Sequence, residues 1–165
     1  MILSNNNEKK FIFLGDAESQ LSFNIKNDYI DKSELKDMLE KKYLYGYHKL
    51  IKLPLIFNIT LLRALVELPL IKIEVNISNE IDLKDYLDKD FGVYSLPTIY
   101  IIYALNVCIG SSKNYGHYYS YILINNEWFK FDDLKVIKVE RNDIEKDLPY
   151  IYGIYYINKE YFNSL

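Results

Sequence analysis

Two runs of alternating aromatic and branched residues, separated by Asn125-Asn126, constrain this chain more than any other feature. The first is Tyr115-Gly116-His117-Tyr118-Tyr119-Ser120-Tyr121-Ile122-Leu123-Ile124, and the second is Glu127-Trp128-Phe129-Lys130-Phe131-Asp132. Strand side chains alternate between faces, so the pattern predicts Tyr119, Tyr121 and Leu123 on one face and Tyr118, Ser120 and Ile122 on the other. Two asparagines between such runs predict a tight hairpin turn.

A hairpin of that length returns Asp132 to the level of His117, so two residues separated by 15 positions are predicted in side-chain contact. Imidazole is the side chain whose ordinary pKa lets it take a proton near neutral pH, and a carboxylate at its far nitrogen fixes tautomer and orientation. His117 and Asp132 therefore form two thirds of a Cys/His/Asp hydrolase site, lacking the nucleophile. The same residues also suit a structural reading, with the histidine packed in an aromatic strand and Asp132-Asp133 serving as a turn.

The 17 Tyr and 8 Phe, with many Ile and Val, favour half-buried strands over helices. The predicted class is α+β, predominantly antiparallel β. A chain of 165 residues at 50% hydrophobic content supports one core. A net charge of −3 argues against a nucleic-acid partner, which needs clustered Lys and Arg. The single Cys excludes an internal disulfide, and no leader-like run is visible in these residues, so a cytosolic or nuclear location is expected. Apolar stretches at residues 53–62 and 99–109, interrupted by Asn58 and Asn106, fall short of the roughly 20 residues that span a bilayer. They are predicted core strands, and no membrane partner is expected.

Along the chain, residues 1–10 are polar and predict a flexible tail ahead of a domain at 11–165. Residues 21–25 alternate as a strand does. Asp31-Lys32-Ser33-Glu34 resembles a capping box, opening a helix whose buried face is Leu35, Met38 and Leu39. Leu68-Pro69 is predicted to turn a strand pair, Pro97 and Pro149 to sit at strand entries, and Gly92 to lie in a loop. Residues 143–146 predict a helical turn entered from Asn142. No internal repeat is visible. His48 reads as an exposed or packing residue.

Gly116-His117-Tyr118 and Trp128-Phe129-Lys130-Phe131-Asp132-Asp133-Leu134-Lys135-Val136 resemble the second signature of the ubiquitin-specific proteases. Upstream, Leu53-Pro54-Leu55-Ile56-Phe57-Asn58-Ile59-Thr60-Leu61-Leu62-Arg63 is similar to the family's Leu-Pro, apolar strand, Leu-Lys-Arg-Phe segment, with Ala64 in place of Phe. Glu80-Ile81-Asp82-Leu83-Lys84-Asp85-Tyr86-Leu87, the stretch 100–112 and Tyr152-Gly153-Ile154-Tyr155-Tyr156 resemble later segments, so the likeness covers residues 11–157.

The resemblance implies a papain-like fold consisting of palm and fingers without the N-terminal thumb. It implies His117 as general base, Asp132 as its orienting carboxylate, Asp133 as a supporting acceptor, and a loop over residues 111–116 flanking the ubiquitin tail. Ser111, Ser112, Tyr115, Gly116 and Tyr118 are the implied ubiquitin-binding positions. The family's Gly-x-x-Asn-x-Gly-Asn-Thr-Cys box does not occur in these residues. The fingers commonly carry two zinc-binding Cys-x-x-Cys pairs. A tetrahedral site needs about four Cys or His ligands, and with 1 Cys and 2 His neither a metal nor another cofactor is expected.

Three readings follow. The chain carries the His/Asp portion of a deubiquitinase completed by an upstream segment or second chain, with ubiquitin or a ubiquitin conjugate as partner. Alternatively, it is a pseudoprotease that binds ubiquitin or acts as a scaffold. In the third, Cys108 lies across a hairpin from His117 and forms a dyad with it. A thumbless palm is further expected to expose an apolar partner surface.

Overall fold

In the computed structural model, residues 2–5, 10–13, 20–24, 33–43, 48–63, 72–90, 97–112 and 115–165 are described. In chain order the strands are β1 (Ile2–Asn5), β2 (Lys10–Phe13), β3 (Gln20–Asn24), β4 (Ser33–Glu34), β5 (His48–Lys52), β6 (Ile56–Leu62), β7 (Val75–Asn76), β8 (Glu80–Asp82), β9 (Ile99–Ser112), β10 (Tyr115–Ile124), β11 (Glu127–Asp132), β12 (Lys135–Val139) and β13 (Ile151–Asn158). The helices are α1 (Leu35–Tyr43), α2 (Arg141–Glu145) and α3 (Lys159–Phe162). No described helix is long and apolar enough to cross a membrane.

The principal sheet runs β12-β11-β10-β9-β13-β6-β3, with β8 also paired to β9. Its pairings are antiparallel except β3 with β6, which is parallel. This mostly antiparallel sheet with few helices is the α+β class expected. The 14-residue β9 is its spine because it pairs with β10, β13 and β8. The apolar run at 53–62 becomes an alternating strand, with Phe57, Ile59 and Leu61 buried and Ile56 and Leu62 exposed. One continuous core joins those residues to Leu105 and Val107 of β9, Tyr119 and Tyr121 of β10, and Ile151 and Ile154 of β13. Leu35, Met38 and Leu39 of α1 enter the same core as expected, joined by Tyr43.

Ile2–Asn5, within the stretch read as a tail, is the central strand of a second sheet ordered β2-β1-β5. The helix start also differs from expectation. Ser33 and Glu34 are extended and pair with Val75 and Asn76, and the helix begins at Leu35. Downstream, the predicted turn from Asn142 is entered two residues earlier. Glu140 is the N-cap, its side chain and that of Asp143 forming a reciprocal capping box, so Asn142 lies inside α2. Pro149 sits in the short 3-10 turn Leu148–Tyr150 leading into β13, and Pro97 precedes β9. Asp31, Lys32, Ile25, Leu68, Pro69 and Gly92, together with the side chain of His48, lie outside what is described.

Arg63 follows β6 and is 4% exposed. Its Nε donates to Ile151 O at 2.5 Å, Nη1 to Ile73 O at 2.6 Å and Nη2 to Leu148 O at 3.2 Å. Burial pulls its pKa down to about 10. The guanidinium thus ties the end of β6 to the 72–74 stretch and to the entry of β13, satisfying carbonyls that the strand ladders leave over. Replacing Arg63 by Met strands these acceptors, and a loss of about 3 kcal/mol is expected. A urea midpoint for R63M equal to wild type would contradict the clamp.

Several tyrosines are held neutral by the fold. Burial pushes Tyr86 and Tyr100 up to about 12 and raises Tyr43 and Tyr156 further. An unfolded tyrosine ionises near 10, so their contribution is complete below pH 10 and is lost as pH climbs from about 10 through about 12. In an alkaline titration, tyrosinate absorbance from these residues is expected to appear together with loss of β-sheet circular dichroism. Complete tyrosine ionisation near pH 10 with an intact sheet signal would refute this.

Candidate active site

The hairpin forms as the alternation predicts. Asn125 and Asn126 take φ of 51° and 62°, the left-handed pair of a two-residue turn whose twist matches its strands. Its register sets Ile124 opposite Glu127, Tyr121 opposite Lys130 and Ser120 opposite Phe131. Residues directly opposite share a face. His117, Tyr119 and Tyr121 from β10 therefore share a face with Lys130 and Asp132 from β11.

At the open end of that face His117 Nε2 lies 2.5 Å from Asp132 Oδ1. The histidine side chain is 51% exposed and the aspartate 24%. Asp132 is thus screened by its neighbours while the imidazole remains accessible. Asp133 follows at φ 51°, exposed in the turn between β11 and β12. Donor atoms of His117, Asp132 and Asp133 lie within 4.8 Å of one another. One nitrogen of that cluster, His117 Nε2, is already engaged by Asp132.

Sequence reasoning passed over what surrounds the pair. Lys130 Nζ lies 3.1 Å from Asp132 Oδ2, the oxygen that does not face His117. The same ammonium stands 3.6 Å from the centroid of the Tyr119 ring. Lys130 first, and then His117, holds the Asp132 carboxyl below the usual carboxylate range. Tyr119 also packs against His117, ring centroids 5.8 Å apart. Its hydroxyl and that of Tyr121 both donate to Asp147 Oδ2 at 2.6 Å. Burial, reinforced by the bond to Asp147, pushes both phenols far above their ordinary pKa. The i−2 spacing of Lys130 from Asp132 was a usable signal; nothing local marks Asp147.

The opposite face is separate. Tyr118 is 45% exposed there and meets Tyr152 edge-on at 5.9 Å. Asn106 accepts from Ser120 Oγ at 2.8 Å and donates to Tyr155 Oη at 3.0 Å, which accounts for an asparagine inside an apolar strand. Cys108 is directly opposite Tyr118, whereas His117 is opposite Ile109. The Cys108–His117 dyad of the third reading is therefore overturned: the thiol is buried, 5% exposed, on the face away from the imidazole.

Ser111 and Ser112, expected in a loop, continue β9, and Ser112 pairs with Tyr115 before a register shift at Gly116. The side chains of Ser111, Ser112 and Tyr115 lie outside the described ones, and Gly116 is exposed.

Comparison with known proteins gives this geometry its context. The sequence model of the family "Ubiquitin carboxyl-terminal hydrolase" matches residues 3–155. Ubiquitin carboxyl-terminal hydrolase 47 of Drosophila melanogaster is 36% identical over 78 residues, covering 46% of this chain and 5% of that protein. Ubiquitin carboxyl-terminal hydrolase 4 of Arabidopsis thaliana is 32% identical over 73 residues, covering 44% and 17%. Among solved structures, the SAGA Ubp8/Sgf11/Sus1/Sgf73 DUB module superposes with a TM-score of 0.71 at 23% identity, covering 94% of this chain and 36% of that one. The same module bound to ubiquitin aldehyde gives 0.68 at 19%, covering 94% and 39%. This chain therefore spans only a minor part of each of these relatives. The fold is that of the ubiquitin-specific proteases, and with its family signature extending over residues 3–155 the chain belongs to the ubiquitin carboxyl-terminal hydrolase family.

Proposed function

We propose that this chain is the base-bearing portion of a deubiquitinating cysteine hydrolase. His117 is its general base, Asp132 orients that base, Asp133 is a supporting acceptor, and the nucleophilic thiol comes from polypeptide outside these residues. The observation that carries the reading is the contact between His117 Nε2 and Asp132 Oδ1 on an accessible strand end. With Nε2 donating to the carboxylate, Nδ1 holds the lone pair of a side chain that is 51% exposed and serves as the base.

Nδ1 takes the thiol proton, and the thiolate attacks the carbonyl carbon of ubiquitin's terminal glycine. Collapse of the adduct breaks the C–N bond, and the imidazolium returns the proton to the departing lysine amine. Water, deprotonated by the same nitrogen, then releases ubiquitin from the thioester and restores the thiol. Asp132 stabilises the imidazolium in both steps.

The ubiquitin tail approaches along Ser111, Ser112, Tyr115 and Gly116 in this reading, with Tyr118, on the face turned from His117, meeting ubiquitin only from the strand's other side, and an upstream segment or second chain supplies the thumb. The SAGA module solved with ubiquitin aldehyde supports ubiquitin as the partner by likeness of fold. The reading places the protein in the cytosol or nucleus. A second reading, a pseudoprotease that binds ubiquitin or acts as a scaffold without turnover, is favoured by one observation: the chain's 1 Cys faces away from His117.

The isolated chain is expected not to form a covalent adduct with a ubiquitin-derived electrophile, and labelling lost in C108A would restore the dyad. In the protein completed by its thiol-bearing polypeptide, H117A is expected to lower turnover of a ubiquitin conjugate by about 10² to 10⁴ with ubiquitin affinity little changed. Equal turnover in both forms would refute the base assignment. Ubiquitin binding with no turnover in the completed wild-type protein would select the second reading.

A further inference from the structure

The Asp132 carboxylate is shared. Oδ1 meets His117 at 2.5 Å and Oδ2 meets Lys130 at 3.1 Å. A carboxylate on a two-torsion side chain at a half-open strand end is free to swing toward water unless both oxygens are engaged. Lys130, in turn, is a long flexible cation that would ordinarily sample many rotamers. Here its ammonium is seated over the Tyr119 ring face at 3.6 Å, a cation–π position. Tyr119 cannot tilt away, because its hydroxyl is tied to Asp147 Oδ2 at 2.6 Å and its ring abuts Tyr121 edge-on at 5.7 Å. A chain of contacts thus runs from the stretch following α2, through the ring, to the carboxylate that holds the imidazole.

We infer that Lys130 is a positioning residue for the His117–Asp132 pair: held on the Tyr119 ring, its ammonium grips one carboxylate oxygen of Asp132 and turns the other toward His117. The inference rests on the proposed role of His117 only for its catalytic consequence; the geometric claim stands without it. The charged groups around the pair are Asp133 in the following turn, Lys135, which is opposite Asp132 on β12, and Asp147 behind Tyr119. Among the described residues, Asp132 pairs with His117 and Lys130.

The test reads the bond itself. The chain holds 2 His, so in histidine-labelled protein the imidazole N–H of His117 is followed by ¹⁵N-edited spectra at low temperature, with His48 as the internal reference. D132A, which removes the acceptor, identifies the signal protected by the carboxylate. In K130M, solvent exchange of the His117 N–H is expected to accelerate about tenfold with the thermal midpoint nearly unchanged, and K130R, which keeps a cation able to lie on the ring and pair with a carboxylate, is expected to restore slow exchange. If K130M does not fold, K130Q is read the same way. Wild-type exchange in the charge-removing variant would overturn the inference, and so would K130R exchanging as fast as K130M. In the completed protein the same substitution is expected to lower kcat with KM unchanged. A failure of the base assignment would remove that effect and leave the exchange result standing.

Discussion

Strand register is the constraint on which the His117 end of this molecule depends. Side chains alternate with a period of two, so a slip of one residue moves a whole set of them to the other face. Asn125 and Asn126, with φ of 51° and 62°, close the β10–β11 hairpin in two residues and leave it one favoured register. His117, Tyr119 and Tyr121 then share a face with Lys130 and Asp132. On the other side of β10, the register shift between Tyr115 and Gly116 matters as much. Were the Tyr115–Ser112 pairing continued without it, Cys108 would stand opposite Tyr119, on the His117 face. With the shift, Cys108 stands opposite Tyr118 and turns its thiol away.

Buried polar groups connect the frame to that end. Arg63 collects carbonyls of Ile73, Leu148 and Ile151, fixing the approach to β13, and Asp147, one residue before Leu148, receives the hydroxyls of Tyr119 and Tyr121. The stretch around 147–151 is thus held from both sides, by an arginine behind and by two tyrosines in front. Each of these groups would be costly to bury alone and is satisfied in the fold. The geometry of the exposed pair at His117 therefore inherits order from interactions deep in the core.

The hairpin, its turn and the meeting of His117 with Asp132 were legible because alternation, two turn-forming asparagines and motif spacing all pointed the same way. The α1 face was legible for the same reason, since Leu35, Met38 and Leu39 recur at helical spacing. Other features were hidden by the limits of local pattern. Ile2–Asn5 is short, and its partner β5 lies far along the chain, so polar neighbours gave it the look of a tail. Glu140 is not among the favoured N-cap types, whereas Asn142 is, and the reciprocal bond with Asp143 decided between them. The side on which Cys108 falls turns on a one-residue shift that no composition records. Lys130 received no role from the strand pattern, because its contacts with the Tyr119 ring and Asp132 exist only in the folded hairpin.

In the proposed function, the strand end bearing His117 and Asp132 faces the tail of ubiquitin. Mapping amide and histidine signals of the isotope-labelled chain during titration with ubiquitin, and then with ubiquitin truncated at its C-terminus, tests this most directly. Shifts concentrated at Gly116, His117 and Asp132 that vanish with the truncated form are the expected result. Shifts confined to other parts of the sheet, or identical with both forms, would contradict it.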